Sequence, residues 1–209
     1  MELFQFALSS LAAIFVILDP LGAVPIVLGM TASDTPERRR QLIWRAIWVS
    51  FIILVLFAVL GRMLLDLFGI SLPAFRIAGG ILLLKIALDM LYARRPDSHL
   101  TDSEEAEGVD KEDIAVIPLA MPMLAGPATI ATVLVLMEQA AGFTKSAIVI
   151  GSIVVALGAS YLILRSSTMV FKLLGESGVK ITIRVMGLIL LALSIQFAAG
   201  GVKEMFFQN

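Results

Sequence analysis

Apolar residues occur along this chain in long blocks, and short polar segments separate each block from the next. An α-helix needs roughly 20 predominantly apolar residues to cross a bilayer, and six blocks reach about that length. The pattern therefore predicts six transmembrane helices, which cover residues 3–30, 43–65, 72–92, 114–137, 146–164 and 181–202. We predict an all-α integral membrane protein whose residues 1–209 form a single transmembrane domain.

The composition narrows the classes of function. Of the 209 residues, 59% are apolar, whereas soluble domains contain roughly 45–50%. Six spans leave no room for a sizeable soluble domain, which excludes most soluble enzyme classes. We expect no enzyme and no catalytic residues. The chain has no cysteine and a formal net charge of −1. Without cysteine, disulfides and thiolate metal sites are excluded, and we expect no metal. The near-neutral charge gives no basic surface for binding nucleic acid.

The polar segment 93–113 differs from the other connections. It holds eight of the seventeen Asp and Glu residues of the chain. Such a composition is typical of a flexible, solvated linker. We predict that it joins a first repeat, residues 1–92, to a second repeat, residues 114–209.

Lys and Arg are distributed unequally between the two sides of the predicted membrane domain. The first, third and fifth connections carry eleven of these residues, whereas the other side carries four. Because positively charged loops of membrane proteins stay in the cytoplasm, the connections of the first set are predicted to be cytoplasmic. Both termini are then predicted to lie on the outer, periplasmic side.

The two halves resemble each other weakly when they are overlaid with an offset of about 108 residues. The segment RIAGGILL at 76–83 lies over RVMGLILL at 184–191, and LFG at 67–69 lies close to LLG at 173–175. Each half has three spans, an odd number, so the second half must enter the membrane inverted relative to the first. Inverted repeats are a recurrent transporter design, although gene duplication has also produced channels and inert scaffolds.

Proline interrupts the first and fourth spans near their middles. The sequence is ILDPLGAVP at 17–25 in the first span and PLAMPMLAGPAT at 118–129 in the fourth. Proline disfavours helical geometry in the residue before it, but it suits the first position of a new helix. We therefore predict a broken helix in each span, with Asp19 or Gly126 as the N-cap of the second part.

Each break places a helix start, with unpaired amides and about half a positive charge, inside the membrane. Such ends are tolerated only where they line a cavity or are buried in protein. Paired interrupted spans are the best sequence pointer to a transporter's binding site. We predict a substrate site at the midplane formed by Asp19, Pro20, Leu21, Gly22, Ala125, Gly126, Pro127, Ala128 and Thr129.

The two halves of this predicted site differ in charge. Asp19 offers a carboxylate that can hold an ammonium group or carry a proton, or that serves only as a helix cap. The amides that follow Pro127 have no acid beside them and are available for a carboxylate. A small zwitterionic solute fits that polarity, because Gly22, Ala125 and Ala128 leave little space.

Three segments carry a resemblance to a known family: ILDPLGAVPI at 17–26, AFRIAGGILLLKIALDML at 74–91 and PLAMPMLAGPATIATV at 118–133. With these segments in this order, the chain resembles the MarC family, also grouped as neutral amino acid transporters, over its whole length. The resemblance implies a six-span protein of the bacterial inner membrane that takes up small neutral amino acids, such as glycine and alanine, with protons. The chain departs from the family pattern at Ala23, where Asn is common, and at Ala128, where Gly is usual.

The leading hypothesis is a secondary transporter that needs no cofactor besides protons as the coupling ion. An exporter of amino acids, metabolites or drugs stays open, as does a non-transporting structural or regulatory membrane protein. An intramembrane hydrolase that uses Asp19 and Asp89 is disfavoured, because Asp89 is predicted near the inner interface and Asp19 near the midplane. The expected partners are a small zwitterionic solute and membrane lipid, and small-residue stripes allow a homo-oligomer.

Overall fold

The structure is a computed structural model that describes residues 2–31, 34–92, 119–140 and 142–207, apart from the side chains of residues 121, 122, 176 and 207. The regular structure in these ranges is helical. The elements are α1 (Glu2–Leu18), α2 (Pro20–Met30), α3 (Pro36–Leu67), α4 (Leu72–Leu91), a π-helical turn (Leu119–Leu124), α5 (Pro127–Gln139), α6 (Phe143–Arg165) and α7 (Ser167–Phe207). The predicted linker 93–113 and the first residues of the predicted fourth span, 114–118, lie outside the described residues.

Four helical segments within the described ranges are long and apolar enough to cross a membrane. They are Glu2–Met30, Pro36–Leu67, Phe143–Arg165 and Ser177–Phe206. These segments contain the predicted spans one, two, five and six. The predicted third span is α4, which has 20 residues but carries Arg76, Lys85 and Asp89. The described part of the predicted fourth span is the π-helical turn and α5, which has 13 residues.

Helices α3 and α4 each begin with a residue whose side-chain hydroxyl caps the first turn. Oγ1 of Thr35 accepts a hydrogen bond from the amide of Arg38 at 3.3 Å, and Oγ of Ser71 accepts one from the amide of Ala74 at 3.3 Å. Such bonds satisfy amides that have no partner within the helix. Because Thr35 caps α3 so early, this helix begins well before the predicted residue 43 and extends through the polar segment that precedes the apolar block.

Two glycines with the same unusual conformation end α3 and interrupt α7. Gly69 and Gly175 both have φ of 65°, which glycine adopts without steric cost. At Gly69 the chain turns from α3 into α4. At Gly175 it leaves helical geometry within α7, so that the membrane-crossing segment Ser177–Phe206 follows the bend. These are the glycines of the LFG and LLG segments that the weak sequence repeat overlays.

The most extensive helix contact is the antiparallel packing of α4 on α7. A Cβ atom on Gly80 would lie 2.9 Å from the amide nitrogen of Ala198, and one on Gly187 would lie 3.2 Å from the carbonyl oxygen of Ala87. Early residues of α4 therefore face late residues of α7. Small residues allow the two main chains to approach this closely, as is common between membrane helices.

The main buried core lies where α1, α2, α3, α5, α6 and the π-helical turn meet. Its members include Ile14, Val24, Leu54, Leu124 and Ile153, each at most 2% exposed. A smaller cluster joins α1, α4, α5 and α7. Many large apolar side chains of α3, α6 and α7 are exposed on the outside of the bundle, as expected of a surface that faces lipid. The core surrounds the two breaks.

Candidate functional site

The first break lies at Asp19, between α1 and α2. Asp19 has φ of 42° and ψ of 58°, in the left-handed region that Asp adopts more readily than most residues. Its Oδ1 accepts a hydrogen bond from the amide of Gly22 at 3.1 Å. Pro20 occupies the first turn of α2, and Asp19 is 8% exposed. The predicted N-cap is confirmed, and its carboxyl group is buried.

The second break lies at Gly126, before α5. Gly126 has φ of −75° and ψ of 168°, and this helix start receives no side-chain cap. Pro127 has no amide hydrogen, and the amide of Ile130 donates to the carbonyl oxygen of Gly126 at 2.9 Å. The amides of Ala128 and Thr129 belong to the first turn, where no partner exists within the helix. Both residues are buried, at 5% and 1% exposure, so the second predicted N-cap is also confirmed.

The chain reaches the second break through a wide turn rather than an α-helix. The amide of Ala125 donates to the carbonyl oxygen of Ala120 at 2.8 Å, one residue further back than in an α-helix. Both alanines are at most 1% exposed. Wide turns of this kind are frequent at functional sites. The two breaks thus differ, because α1 stays α-helical up to Leu18.

Helix α4 lies across both breaks. A Cβ atom on Gly79 would lie 2.9 Å from Cβ of Ala131 and 3.5 Å from the carbonyl oxygen of Pro127, so α4 touches the start of α5 there. Further along α4, Cε of Met90 lies 2.7 Å from where a Cβ atom on Gly22 would be. Sequence reasoning did not assign Gly79 or Met90 to the site. The sequence feature that could have indicated these two residues is their position in the 74–91 segment, one of the three that carry the family resemblance.

The two broken segments cross near their breaks. Helix α1 packs on α5, and the π-helical turn packs on α2. Ile17, just before the first break, shares a buried cluster with Ala128 and with Leu83 of α4. Ala23 and Ala125 share the larger core cluster. The small cluster thus brings Ile17 and Ala128, one beside each break, together, while α2 and α5 make no extensive contact with each other within the described ranges.

The predicted site residues are enclosed by protein. Seven of the nine are buried, and Leu21 and Pro127 are half-buried. Thr132, one turn into α5, donates its hydroxyl to the carbonyl oxygen of Ala128 at 2.8 Å. That hydroxyl therefore satisfies its own helix, in contrast to the amides of the first turn.

The chemistry available at the two breaks is complementary. A carboxylate has about four acceptor positions, so the single bond from Gly22 leaves Asp19 able to accept from an ammonium group. The start of α5 carries the partial positive charge of a helix N-terminus without an acid to offset it. The two breaks therefore offer groups of opposite polarity, hydrogen-bond acceptors at Asp19 and amide donors at the start of α5.

A cavity of about 450 Å³ opens at one end of the bundle, where α3, α4 and α5 meet. Three charged residues, Arg62, Asp66 and Glu138, line it together with Leu134 and other apolar side chains. Its volume falls within the range of about 300–1,000 Å³ of small-ligand pockets. Leu134 follows Pro127 by two helical turns, so about 10 Å of α5 separates the cavity from the second break. Sequence reasoning did not predict this cavity.

Long apolar helices and two proline breaks inside the core define a helical integral membrane protein. The family model described as "MarC family integral membrane protein" matches residues 4–206. The chain belongs to the MarC family.

Relatives from archaea and bacteria match the chain over nearly its full length. The UPF0056 membrane protein MJ1677 of Methanocaldococcus jannaschii is 39% identical over 200 residues, which cover 95% of this chain and 97% of the relative. The UPF0056 membrane protein YvbG of Bacillus subtilis is 35% identical over 207 residues, which cover 98% and 97%. The UPF0056 membrane protein MJ0972 of M. jannaschii is 34% identical over 206 residues, which cover 99% and 90%. No solved structure matches the chain significantly.

Proposed function

We propose that this protein is a secondary transporter of small neutral amino acids, of the size of glycine or alanine, coupled to protons. The observation that carries the proposal is the pair of buried helix starts at Asp19 and Gly126, one with a carboxyl cap and one without a cap. A buried acid and an uncapped helix start inside a membrane are costly unless a ligand or cavity uses them. The substrate ammonium would lie towards Asp19, and its carboxylate towards the amides of Ala128 and Thr129.

The proposed size of the substrate follows from the side chains around the breaks. Gly22, Ala125, Gly126 and Ala128 are small and buried, and Met90 closes the space over Gly22. A substrate side chain much larger than a methyl group would have to displace the end of the Met90 side chain. The proposed substrates are therefore glycine and alanine rather than aromatic or long-chain amino acids.

We further propose that the two halves form six spans arranged as an inverted repeat. The paired prolines at the breaks and the paired glycines Gly69 and Gly175 support this arrangement. So does the packing, because α2 contacts α7 while α5 contacts α4, and α1 contacts α6 while the π-helical turn contacts α3. Exchanging the halves maps each of these contacts onto its counterpart. The antiparallel crossing of α4 and α7 fits two equivalent helices of opposite orientation.

The proposed location is the bacterial inner membrane, with both termini outside. The excess of Lys and Arg on the first, third and fifth connections supports this orientation. In this orientation the N-terminal end of α3, with Arg38, Arg39 and Arg40, is cytoplasmic. The cavity at the other end of α3, beside Arg62, then opens to the outside.

The transport proposal is tested by uptake of labelled alanine and glycine into proteoliposomes, with and without an inward proton gradient. We expect gradient-driven accumulation by the wild type. Asp19→Asn should abolish the response to the proton gradient, because Asn keeps the capping bond but carries no titratable proton. Asn is as good an N-cap as Asp and tolerates the left-handed conformation, so this variant should fold.

The matched control is Asp34→Asn, which removes a carboxylate that pairs with Arg38 within one polar segment. We expect this variant to keep the gradient response. If Asp19→Asn still accumulates amino acid in response to the proton gradient, Asp19 is only a helix cap and does not carry the coupled proton. No flux of either amino acid in the wild type would contradict the transport function itself.

A further inference from the structure

Arg39 joins three helices at one end of the bundle. Its Nε and Nη2 donate to Oγ1 and to the carbonyl oxygen of Thr31 at 2.7 Å and 3.0 Å. Its Nη1 donates to Oγ1 of Thr168 at 2.8 Å. Thr31 is the C-cap of α2 and is 3% exposed, and Thr168 lies in the first turn of α7. We call these three residues the Arg39 clasp, which holds α3 against the ends of α2 and α7.

The charged cavity lies at the opposite end of the same helix. Arg39 and Arg62 are separated along α3 by roughly 35 Å at the rise of an α-helix, which exceeds the roughly 30 Å thickness of the hydrocarbon core. The clasp and the cavity therefore belong to opposite faces of the membrane. At the face of Arg62 a cavity opens between α3, α4 and α5, although the ion pair of Arg76 with Glu204 joins α4 to α7 there. At the face of Arg39 the clasp joins α3 to α2 and α7.

The clasp and the cavity occupy equivalent places in the two halves. Counted from the two glycines with φ of 65°, Arg62 and Thr168 hold the same position. Counted from the two prolines at the breaks, Glu138 and Thr31 hold the same position. Arg62 and Glu138 line the cavity, whereas Arg39 bridges Thr31 and Thr168. Arg62 and Glu138 therefore line an open cavity, whereas their equivalents, Thr168 and Thr31, are joined through Arg39.

The sequence accounts for this difference between the halves. Counted from the first residues of α3 and α6, the position of Arg39 corresponds to Ser146. The hydroxyl of Ser146 donates to the carbonyl oxygen of Gly142, one turn earlier, at 3.2 Å. Its short side chain cannot span two neighbouring helices as the guanidinium fork of Arg39 does. The face of Arg62 therefore lacks an equivalent of the clasp at this position.

We propose that the Arg39 clasp is the gate at one face of the transport path, shut in this structure while the cavity at the other face is open. This inference rests on the proposed transport function. A transporter built from two repeats exposes its site to each side in turn as one repeat moves against the other. Opening the Arg39 face requires the guanidinium to release Thr31 and Thr168, and closing the Arg62 face requires the cavity to collapse.

The gate is testable by thiol labelling, because the chain has no cysteine of its own. Leu134→Cys reports on the cavity, and Val27→Cys, at the equivalent position of α2, reports on the space behind the clasp. The probe is a membrane-impermeant maleimide applied to sealed vesicles of both orientations. We expect Leu134→Cys, which lines the cavity although Leu134 is only 5% exposed, to react from one side only. Val27→Cys, at a position that is 2% exposed in the wild type, should react more slowly from either side.

Adding Arg39→Gln should favour the opposite state. We expect the labelling of Val27→Cys from the Arg39 face to rise by more than about tenfold, because the variant loses the charge-assisted hydrogen bonds of the clasp and the loss of one such bond shifts a two-state equilibrium by about that factor. The labelling of Leu134→Cys should fall in the same background. Thr168→Val, at an exposed position, removes one of the three bonds and should give a smaller rise without disturbing the fold.

The matched control is Arg38→Gln, which removes the same charge from the next residue. Arg38 is 44% exposed at its side chain and pairs with Asp34 in its own segment, so it should leave both labelling rates unchanged. Equal labelling of Val27→Cys in the Arg39→Gln and Arg38→Gln backgrounds would overturn the gate. A rise at Val27→Cys without a fall at Leu134→Cys would also overturn it, since the two faces would then open independently.

The labelling rates need no substrate, so they separate the gate from the transport function. Reciprocal labelling changes combined with no alanine flux would support a two-state bundle and contradict the proposed function. Alanine flux combined with unchanged labelling would support the function and contradict the gate. Unchanged labelling combined with no alanine flux would contradict both the gate and the transport function.

Discussion

Gly80 of α4 faces the main chain of α7 so closely that a Cβ atom there would lie 2.9 Å from the carbonyl oxygen of Ser194. The obstacle is backbone rather than a flexible side chain. A side chain at position 80 can therefore be accommodated only if α4 and α7 move apart. This contact lies between the two helices that the proposed repeat would make equivalent.

Gly80→Val should destabilise the protein by about 1–3 kcal/mol, the usual cost of inserting atoms into a packed interface. Thermal unfolding of the purified protein in detergent, followed by tryptophan fluorescence, measures the change. Gly151→Val is the matched control, because a Cβ atom on Gly151 meets nothing within 4 Å. Equal losses in the two variants would contradict the close approach of α4 and α7.

The ion pair between Arg76 and Glu204 should contribute more than a surface pair. Nη1 of Arg76 donates to Oε1 of Glu204, and the two side chains are 16% and 31% exposed. A double-mutant cycle with Arg76→Gln and Glu204→Gln should give a coupling of about 1.5 kcal/mol, as expected of a hydrogen bond between partly buried charged groups.

The comparison for this prediction is the pair formed by Arg38 and Asp34, whose side chains are 44% and 18% exposed. Exposed pairs contribute about 0–1 kcal/mol because solvent screens them. The same thermal measurement on the corresponding Gln and Asn variants gives this coupling. If the surface pair proved the stronger of the two, the contact between α4 and α7 at Arg76 would be wrong.

Asp19 has a structural role that can be separated from its proposed chemical role. Asp19→Ala should cost about 1 kcal/mol, because the amide of Gly22 loses its cap, with about 1 kcal/mol more for the left-handed conformation. Asp19→Asn should stay within about 0.5 kcal/mol of the wild type, because Asn caps equally well. Chemical or thermal unfolding in detergent tests this order, and equal stability of the two variants would contradict the capping geometry.

Gly22 should tolerate no side chain if the first break is part of the site. A Cβ atom there would collide with the carboxyl group of Asp19 and lie 2.7 Å from Cε of Met90. Gly22→Ala should therefore lower alanine uptake at least about tenfold, because Asp19 must give up its geometry to make room. Gly29→Ala lies in the same helix, where a Cβ atom meets nothing within 4 Å, and should keep wild-type uptake. Normal uptake by both variants would remove Gly22 from the site.

The breaks could be predicted from the sequence because their causes are local. Proline at positions 20 and 127 suits the first turn of a helix, so the caps at Asp19 and Gly126 follow from neighbouring residues. The extended geometry that proline favours in the residue before it is found at Gly126, whereas Asp19 is left-handed. The weak similarity between the two halves of the sequence has a similarly local cause. Gly69 and Gly175 occupy positions where the backbone has positive φ, so glycine stands in both the LFG and the LLG segment.

Other features of the site depend on residues far apart in the chain. The contact of Met90 with Gly22 and the bond of Arg39 to Thr168 join helices whose relative position no local pattern determines. Arg39 is one of three consecutive arginines, each of which counts equally towards the predicted cytoplasmic side. Nothing in the sequence distinguishes Arg39 from Arg38. The charged residues of α4 likewise interrupt its apolar stretch, but the sequence does not show that Arg76 pairs with Glu204.

The proposed function requires one small zwitterion to bind between the carboxylate of Asp19 and the amides at the start of α5. Equilibrium binding of labelled alanine to the purified protein measures this step by itself, with unlabelled alanine, propionate and ethylamine as competitors. A site that needs both charges should release the label to alanine, while propionate and ethylamine each compete at least about a hundredfold less well. Asp19→Asn should weaken alanine binding, and Asp34→Asn should not. Competition by propionate equal to that by alanine, or unchanged binding in Asp19→Asn, would contradict a site that holds both charges of the substrate.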